Sequence, residues 1–197
     1  MNQQQAEQLF LEYFRSKGQG FDCPDFSVLG LEPVLRHYRK GEYLFRQGEP
    51  APKLFFLATG LVRYASVSPE GKEFTQAFIA APSISGSTRA MVRQSEALFS
   101  IEVLEPVICL EFEWLPFYNQ MKQQPGFLET YVAILEALFI MKEERESAFV
   151  KLSAEQRYLQ FLEQDGHLAD RIPLQQIASY IGITPVALSR IRKKLKS

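Results

Sequence analysis

The stretch Leu174–Leu195, LQQIASYIGITPVALSRIRKKL, reads as two short helices joined by a sharp turn, and it decides the organisation of the whole chain. Ala178 is the small residue where two helices must approach closely. Gly182, four residues on, supplies the positive φ that such a turn requires. Ile177, Ile181, Ile183, Leu188 and Ile191 give the apolar spacing that packs the helices across it. Thr184 then offers a hydroxyl N-cap and Pro185 a pre-set first helical position. The positions expected to be exposed on this second helix carry Arg190, Arg192, Lys193, Lys194 and Lys196, and no acid follows Thr184. Cap, glycine, apolar spacing and charge together indicate a helix-turn-helix that binds DNA; the plainer reading is an αα-hairpin with a solvated basic end.

The charge distribution agrees with a basic reading end. The 197-residue chain has a formal net charge of −1, but residues 151–197 carry +4 and the first 150 residues −5. Cys23 and Cys109 are the two cysteines, too few for an iron–sulfur cluster and without zinc spacing. Cys109, in the apolar run Val107–Leu110, reads as a buried strand residue. Cys23, beside Pro24, reads as an exposed loop thiol with a redox role open to it. His37 and His167 flank no ligand pattern and read as structural or solvent-facing. No nucleophile–base pair, P-loop or metal cluster is visible, so no catalytic residue, metal or cofactor is expected, and the chain does not read as an enzyme. The N-terminus lacks the basic and apolar blocks of a signal peptide, and Tyr131–Met141 is too short to span a bilayer, so a cytoplasmic protein without membrane contact is expected.

Leu9, Phe10, Tyr13 and Phe14 recur at helical spacing in a short N-terminal helix. Between about Leu35 and Phe112 the pattern changes to short runs: Glu42–Phe45, Leu54–Leu57, Leu61–Val67, Phe74–Ile79, Phe99–Leu104 and Val107–Phe112. Gln47–Pro50, Thr59-Gly60 and Ser68–Gly71 carry turn chemistry between them, which implies an antiparallel roll or sandwich. After Pro125 the period is helical, with Leu128, Tyr131, Leu135 and Leu138 on one stripe. Two readings fit this nearly all-round apolar helix. It pairs with its copy in a homodimer through those four residues, or it is buried within one subunit. Lys142–Glu146 reads as a solvated charge run. A further helix over Ser153–Glu163 opens with a Ser153/Gln156 capping box and packs through Tyr158, Leu159 and Leu162. The Asp165-Gly166 connector has room for only a small hairpin wing.

In this order the parts resemble the cyclic-AMP receptor protein/FNR (CRP/FNR) family of bacterial transcription regulators. Lys40–Phe74, KGEYLFRQGEPAPKLFFLATGLVRYASVSPEGKEF, looks like the opening of that family's cyclic-nucleotide-binding β-roll. The resemblance implies an α+β protein: an N-terminal antiparallel β-roll of jelly-roll type (residues 1–125), a long dimer helix (126–150) and a C-terminal winged helix-turn-helix domain (151–197). It implies a homodimer that binds double-stranded DNA and adjusts transcription, with RNA polymerase as a further partner. From Thr184, Val186, Ala187, Ser189, Arg190, Lys193 and Lys194 it would contact DNA.

Two departures stand out. In cyclic-AMP-binding relatives a phosphate cassette runs Gly-Glu, then Arg-Ala or Arg-Ser about ten residues later. The segment here is APSISGSTRAMVRQSEALFSIEVL, where Gly86 matches but Ser87 replaces the ribose-binding Glu. Glu96 and Ala97 fall near the place of the phosphate-binding Arg. Cyclic AMP is therefore not the expected effector, and a different small molecule or none takes its place; Gly86, Ser87, Thr88 and Arg89 are the residues in reach. Many family members also carry Glu two residues into the reading helix and Arg four later, where this chain has Val186 and Arg190. A different operator is expected, since Val186 can touch a thymine methyl but accepts no hydrogen bond. A sensor module whose terminal helices bind a protein partner is the alternative function.

Overall fold

The computed structural model describes residues 1–18 and 20–195, so Lys196, named above, lies outside the described residues. The chain divides into two compact units. One comprises Met1–Tyr64 with Phe78–Ala137, the other Ala65–Ala77 with Leu138–Ser197.

In the first unit, helix α1 (Gln3–Lys17) opens on an Asn2/Gln5 capping box. It buries Ala6, Phe10 and Phe14, a four-residue spacing that turns one face inward. The strands are β1 (Val34–Tyr38), β2 (Tyr43–Phe45), β3 (Lys53–Val67), β4 (Glu73–Ala80), β5 (Ser83–Ser85) and β6 (Ser100–Glu113), ordered β1-β6-β3-β4 with β2 on β6 and β5 on β3. β1 and β6 are antiparallel, with Val34 opposite Glu111 and Tyr38 opposite Val107. The Leu54–Leu57 and Leu61–Val67 runs are therefore one strand, and Thr59-Gly60 is not a turn between two. Gly60, at φ +96°, lets β3 bend under β6: a Cβ there would stand 2.5 Å from the Pro106 carbonyl oxygen. Likewise Phe99–Leu104 and Val107–Phe112 merge into β6.

Two faces of the roll are packed differently. Inside it, Phe45, Phe55, Leu57, Val62, Ile101, Val103, Val107 and Cys109 form one buried cluster, with Tyr64 and Phe99 packed against it. The α1 side is a nest of rings. Phe10 stacks on Phe14 at 4.4 Å and meets Phe56 edge-on at 5.3 Å, with Phe117 and Phe127 beyond. Each such ring contributes about 1.5–3 kcal/mol by leaving water. Helix α3 (Trp114–Met121) joins this nest, as does the first part of α4 (Phe127–Lys151), where Phe127 and Tyr131 stack at 5.9 Å. Cys23 is buried there too, its thiol 3.9 Å from the Met121 sulfur, so the exposed-thiol reading is corrected. Burial first, then the Asp22 carboxylate, pushes it up to about 11, which leaves almost no reactive thiolate at neutral pH.

The second unit holds the β3–β4 hairpin tip, the later part of α4, α5 (Ala154–Asp165), α6 (Leu174–Ile181) and α7 (Pro185–Lys194). The Ser153/Gln156 capping box forms as read. Its packing face is corrected: Tyr158 and Phe161 are buried, while Leu159 is exposed. Where a hairpin wing was expected, Gly166–Leu168 is a single 310 turn, and no strand lies between α5 and α6 among the described residues. Leu168, fully buried, draws that connector inward. Among the described residues no helix is long and apolar enough to cross a membrane, and no group of His, Cys, Asp and Glu could hold a metal ion.

Candidate nucleic-acid interface and effector cassette

Helices α6 and α7 form the helix-turn-helix. Ile177, Ala178, Ile181 and Leu188 are all buried between the two and against α5. Gly182, at φ +76°, ends α6, and its N–H closes on the Ser179 carbonyl at 3.2 Å. A side chain there is excluded twice over, since a Cβ would meet the Phe149 ring at 2.6 Å. Thr184 Oγ1 accepts from the Ala187 N–H at 3.2 Å and Pro185 follows it, so α7 starts where its sequence says.

Burial of Leu188 fixes which side of α7 faces out. Val186, Ser189, Arg190 and Lys193, at spacing i, i+3, i+4, i+7, make one exposed stripe, with Thr184 at its head and Ala187 half-exposed beside it. Val186 is 62% exposed, high for an apolar side chain on a short helix. Two basic residues behave otherwise. Arg192 is turned back over the Tyr158 ring, 5.6 Å away, so its reading as an exposed cation is corrected: it shares the helix face of Leu188. Lys194 donates to Glu155 of α5 at 2.7 Å.

The cassette segment gives β5 and the one-and-a-half-turn helix α2 (Thr88–Arg93). Ser87 is buried, and its hydroxyl is taken up in capping α2 through the Ala90 N–H at 3.3 Å. The Gly86 N–H donates to the Tyr64 hydroxyl at 3.2 Å. Thr88 and Arg89 are exposed, and Arg89 donates to Ser95 Oγ at 3.1 Å and the Glu96 carbonyl at 2.6 Å. Ala97 is buried in the roll's apolar cluster, and Phe99 stacks on Tyr64 at 4.9 Å. A polar group inside the roll, Glu111, accepts from the Tyr38 hydroxyl at 2.6 Å and from Lys53 at 2.7 Å.

Along α4, Leu128, Val132, Phe139, Ile140 and Met141 are exposed, and Leu135 and Leu138 are half-buried. Tyr131 is half-buried like Leu135 and Leu138. It lies against Trp114 and Tyr118 of its own chain, at 5.8 Å from each.

Sequence reasoning missed Arg145 and Arg157. Arg145, read as part of a solvated charge run, donates instead to the Thr75 carbonyl at 3.1 Å and the Tyr180 carbonyl at 2.8 Å. Arg157 donates to the Ile181 carbonyl at 2.9 Å and the Leu152 carbonyl at 2.7 Å. Burial lowers the Arg145 guanidinium from its ordinary value, and the Tyr180 hydroxyl beside it works the other way.

A model of the cyclic nucleotide-binding domain family matches residues 35–124, from β1 through α3 and its C-terminal turn. The global nitrogen regulator of Synechocystis sp. is 24% identical over 186 residues, which cover 87% of this chain and 83% of that protein. Among solved structures, the c-di-GMP-responsive global regulator CLP of Xanthomonas campestris matches with a TM-score of 0.71 at 15% identity, over 86% of this chain and 88% of that one. CooA of Carboxydothermus hydrogenoformans, in a mutant form, matches with a TM-score of 0.70 at 22% identity, over 86% of this chain and 78% of that one. FixK2 of Bradyrhizobium japonicum matches at 0.69 and 19%, over 84% and 85%. Residues 35–124 thus match the cyclic nucleotide-binding domain family model, and the chain shares its fold with the regulators above. The chain's relatives are CRP/FNR-family regulators, and it carries their fold.

Proposed function

We propose that this chain is a homodimeric, site-specific double-stranded-DNA-binding transcription regulator of the CRP/FNR type, not an enzyme, and that cyclic AMP is not its effector. The exposed, acid-free stripe of Val186, Ser189, Arg190 and Lys193 on a capped second helix carries this reading. A helix about 10–12 Å across fits the major groove, which presents a distinct donor and acceptor pattern for each base pair. Val186, Ala187 and Arg190, in the first two turns, reach base edges, with Arg190 the bidentate partner of a guanine. Thr184, Ser189 and Lys193 contact phosphate, and Lys194, tied to Glu155, adds general attraction at the edge of the interface. The apolar residues exposed along α4, with Leu135 and Leu138 beside them, support pairing with a second copy.

The cassette supports the statement about the effector. Ala97 stands near the place of a phosphate-binding arginine, the Ser87 hydroxyl is committed to a cap, and the Gly86 N–H is taken up by the Tyr64 hydroxyl, whose ring stacks on Phe99. Gly86, Ser87, Thr88 and Arg89 therefore present no phosphate clamp. Nuclease footprinting of the full chain on genomic fragments tests the function. Discrete protected sites, lost as salt rises, are expected; protection of no fragment over another would sink the proposal.

A further inference from the structure

Ser179 and Arg145 lie outside the reading stripe, yet both grip the β3–β4 hairpin. Among the described residues, the outer edge of β4 has no strand beside it in the order β1-β6-β3-β4. Ser179, on α6, stands there in place of a strand: its hydroxyl accepts from the Thr75 N–H at 2.9 Å and donates to the Glu73 carbonyl at 3.3 Å. Arg145 then joins the same hairpin to the end of α6 through the Thr75 and Tyr180 carbonyls. Its guanidinium lies 4.0 Å from the Tyr180 ring centre and 4.9 Å from that of Phe149. Thr75 is 2% exposed, so the bonds it makes itself are sheltered from water, while the Ser179–Glu73 bond is exposed. Helix α6 is only eight residues long, and a helix of that length owes its place to what it packs on.

We propose that the β3–β4 hairpin is a working part of the DNA-reading unit, and that Ser179 and Arg145 are positioning residues. They set α6, and through the buried α6–α7 contact they set the angle at which α7 meets DNA. This rests on the DNA-binding function proposed above. Neither residue needs to touch DNA for the effect.

The test uses the full chain, a site found by footprinting, and the variants Ser179→Ala, Ser179→Thr, Arg145→Gln and Arg145→Lys. Three quantities are read: affinity for the site, the slope of affinity against salt, and hydrogen exchange at the Thr75 amide. Ser179→Ala should speed Thr75 exchange and lower site affinity about five- to tenfold, the scale of one lost hydrogen bond. The salt slope should stay the same, because no phosphate contact is lost. Ser179→Thr should restore both exchange and affinity. Arg145→Gln should weaken binding more, and Arg145→Lys should not rescue it, since an ammonium does not stack on the Tyr180 ring as the planar guanidinium does at 4.0 Å.

Wild-type affinity in Ser179→Ala with accelerated Thr75 exchange would show that the hairpin plays no part, and would overturn the proposal. Unchanged Thr75 exchange would overturn it too, and so would a shallower salt slope, which would make Ser179 a phosphate contact. Should the wild-type chain protect no site while Thr75 exchange responds as expected, it is the DNA reading that fails, and the positioning role falls with it.

Discussion

Arg190 stands at the middle of the exposed stripe on α7, with Val186 a turn before it and Lys193 just under a turn after. Arg190→Ala should cost about 1–3 kcal/mol at the preferred site and relax one base pair per half-site, as measured by competition among duplexes differing at single positions. Lys193→Ala should weaken all duplexes alike and make the salt slope shallower by about one unit per half-site. A thiol titration should find Cys23 and Cys109 unreactive at neutral pH until the chain is unfolded; burial pushes their pKa values up to about 11 and about 12. Rapid reaction of Cys23 in the folded chain would show that its loop opens. Thr184, Pro185 and Gly182 were legible in the sequence because a cap and a helix stop are chemistry between near neighbours. Arg145 was not, since its partners Thr75 and Tyr180 lie 70 and 35 residues away. Nor was Arg192: the sequence shows a basic run, but only the buried position of Leu188 tells which of its members turns inward.

At the scale of elements, α4 uses its circumference twice. Phe127, Thr130 and Ile134 are buried within the chain, while Val132 (50% exposed) and Phe139 (63% exposed) are left for another surface. The double variant Val132→Asp, Phe139→Asp should sediment as a folded monomer with little affinity for DNA, because the residues changed are not part of the protomer's own core. A mutant that stays dimeric would place the interface elsewhere. The sequence marks the apolar helix but cannot separate its two faces; that Tyr131 packs on Trp114 and Tyr118 of its own chain is seen only in the fold. Strand β3 shows the same limit. Thr59-Gly60 carries turn residues, and only the close passage of Pro106 shows that the glycine permits a bend within a continuous strand. Gly60→Ala should therefore destabilise the roll by more than about 1 kcal/mol in denaturant unfolding, where a turn glycine in open space would tolerate the change better. Helices α2 and α3 escaped notice because at six and eight residues they show little period, and neither is closed by a glycine as the equally short α6 is.

Across the whole molecule, the charge is uneven: the first 150 residues carry −5 and the remainder, which holds α6 and α7, carries +4, the balance expected if that end meets DNA. Titration calorimetry with cyclic AMP at millimolar concentration should show no saturable binding tighter than about 100 µM, near −5.5 kcal/mol. The antiparallel roll and the two capped helices near the C-terminus were legible because each rests on local periodicity, turn chemistry and capping, whereas the jelly-roll class came from the resemblance. The assignment of the 65–77 hairpin to the second unit was not, since it rests on contacts across about a hundred residues. The most direct test of site-specific reading by a symmetric pair of α7 helices is selection of bound sequences from a randomised duplex library by the full chain. An inverted repeat should emerge, its half-sites about 34–36 Å apart or a multiple of that. Recovery of unenriched sequence, or of a single site without symmetry, would contradict it.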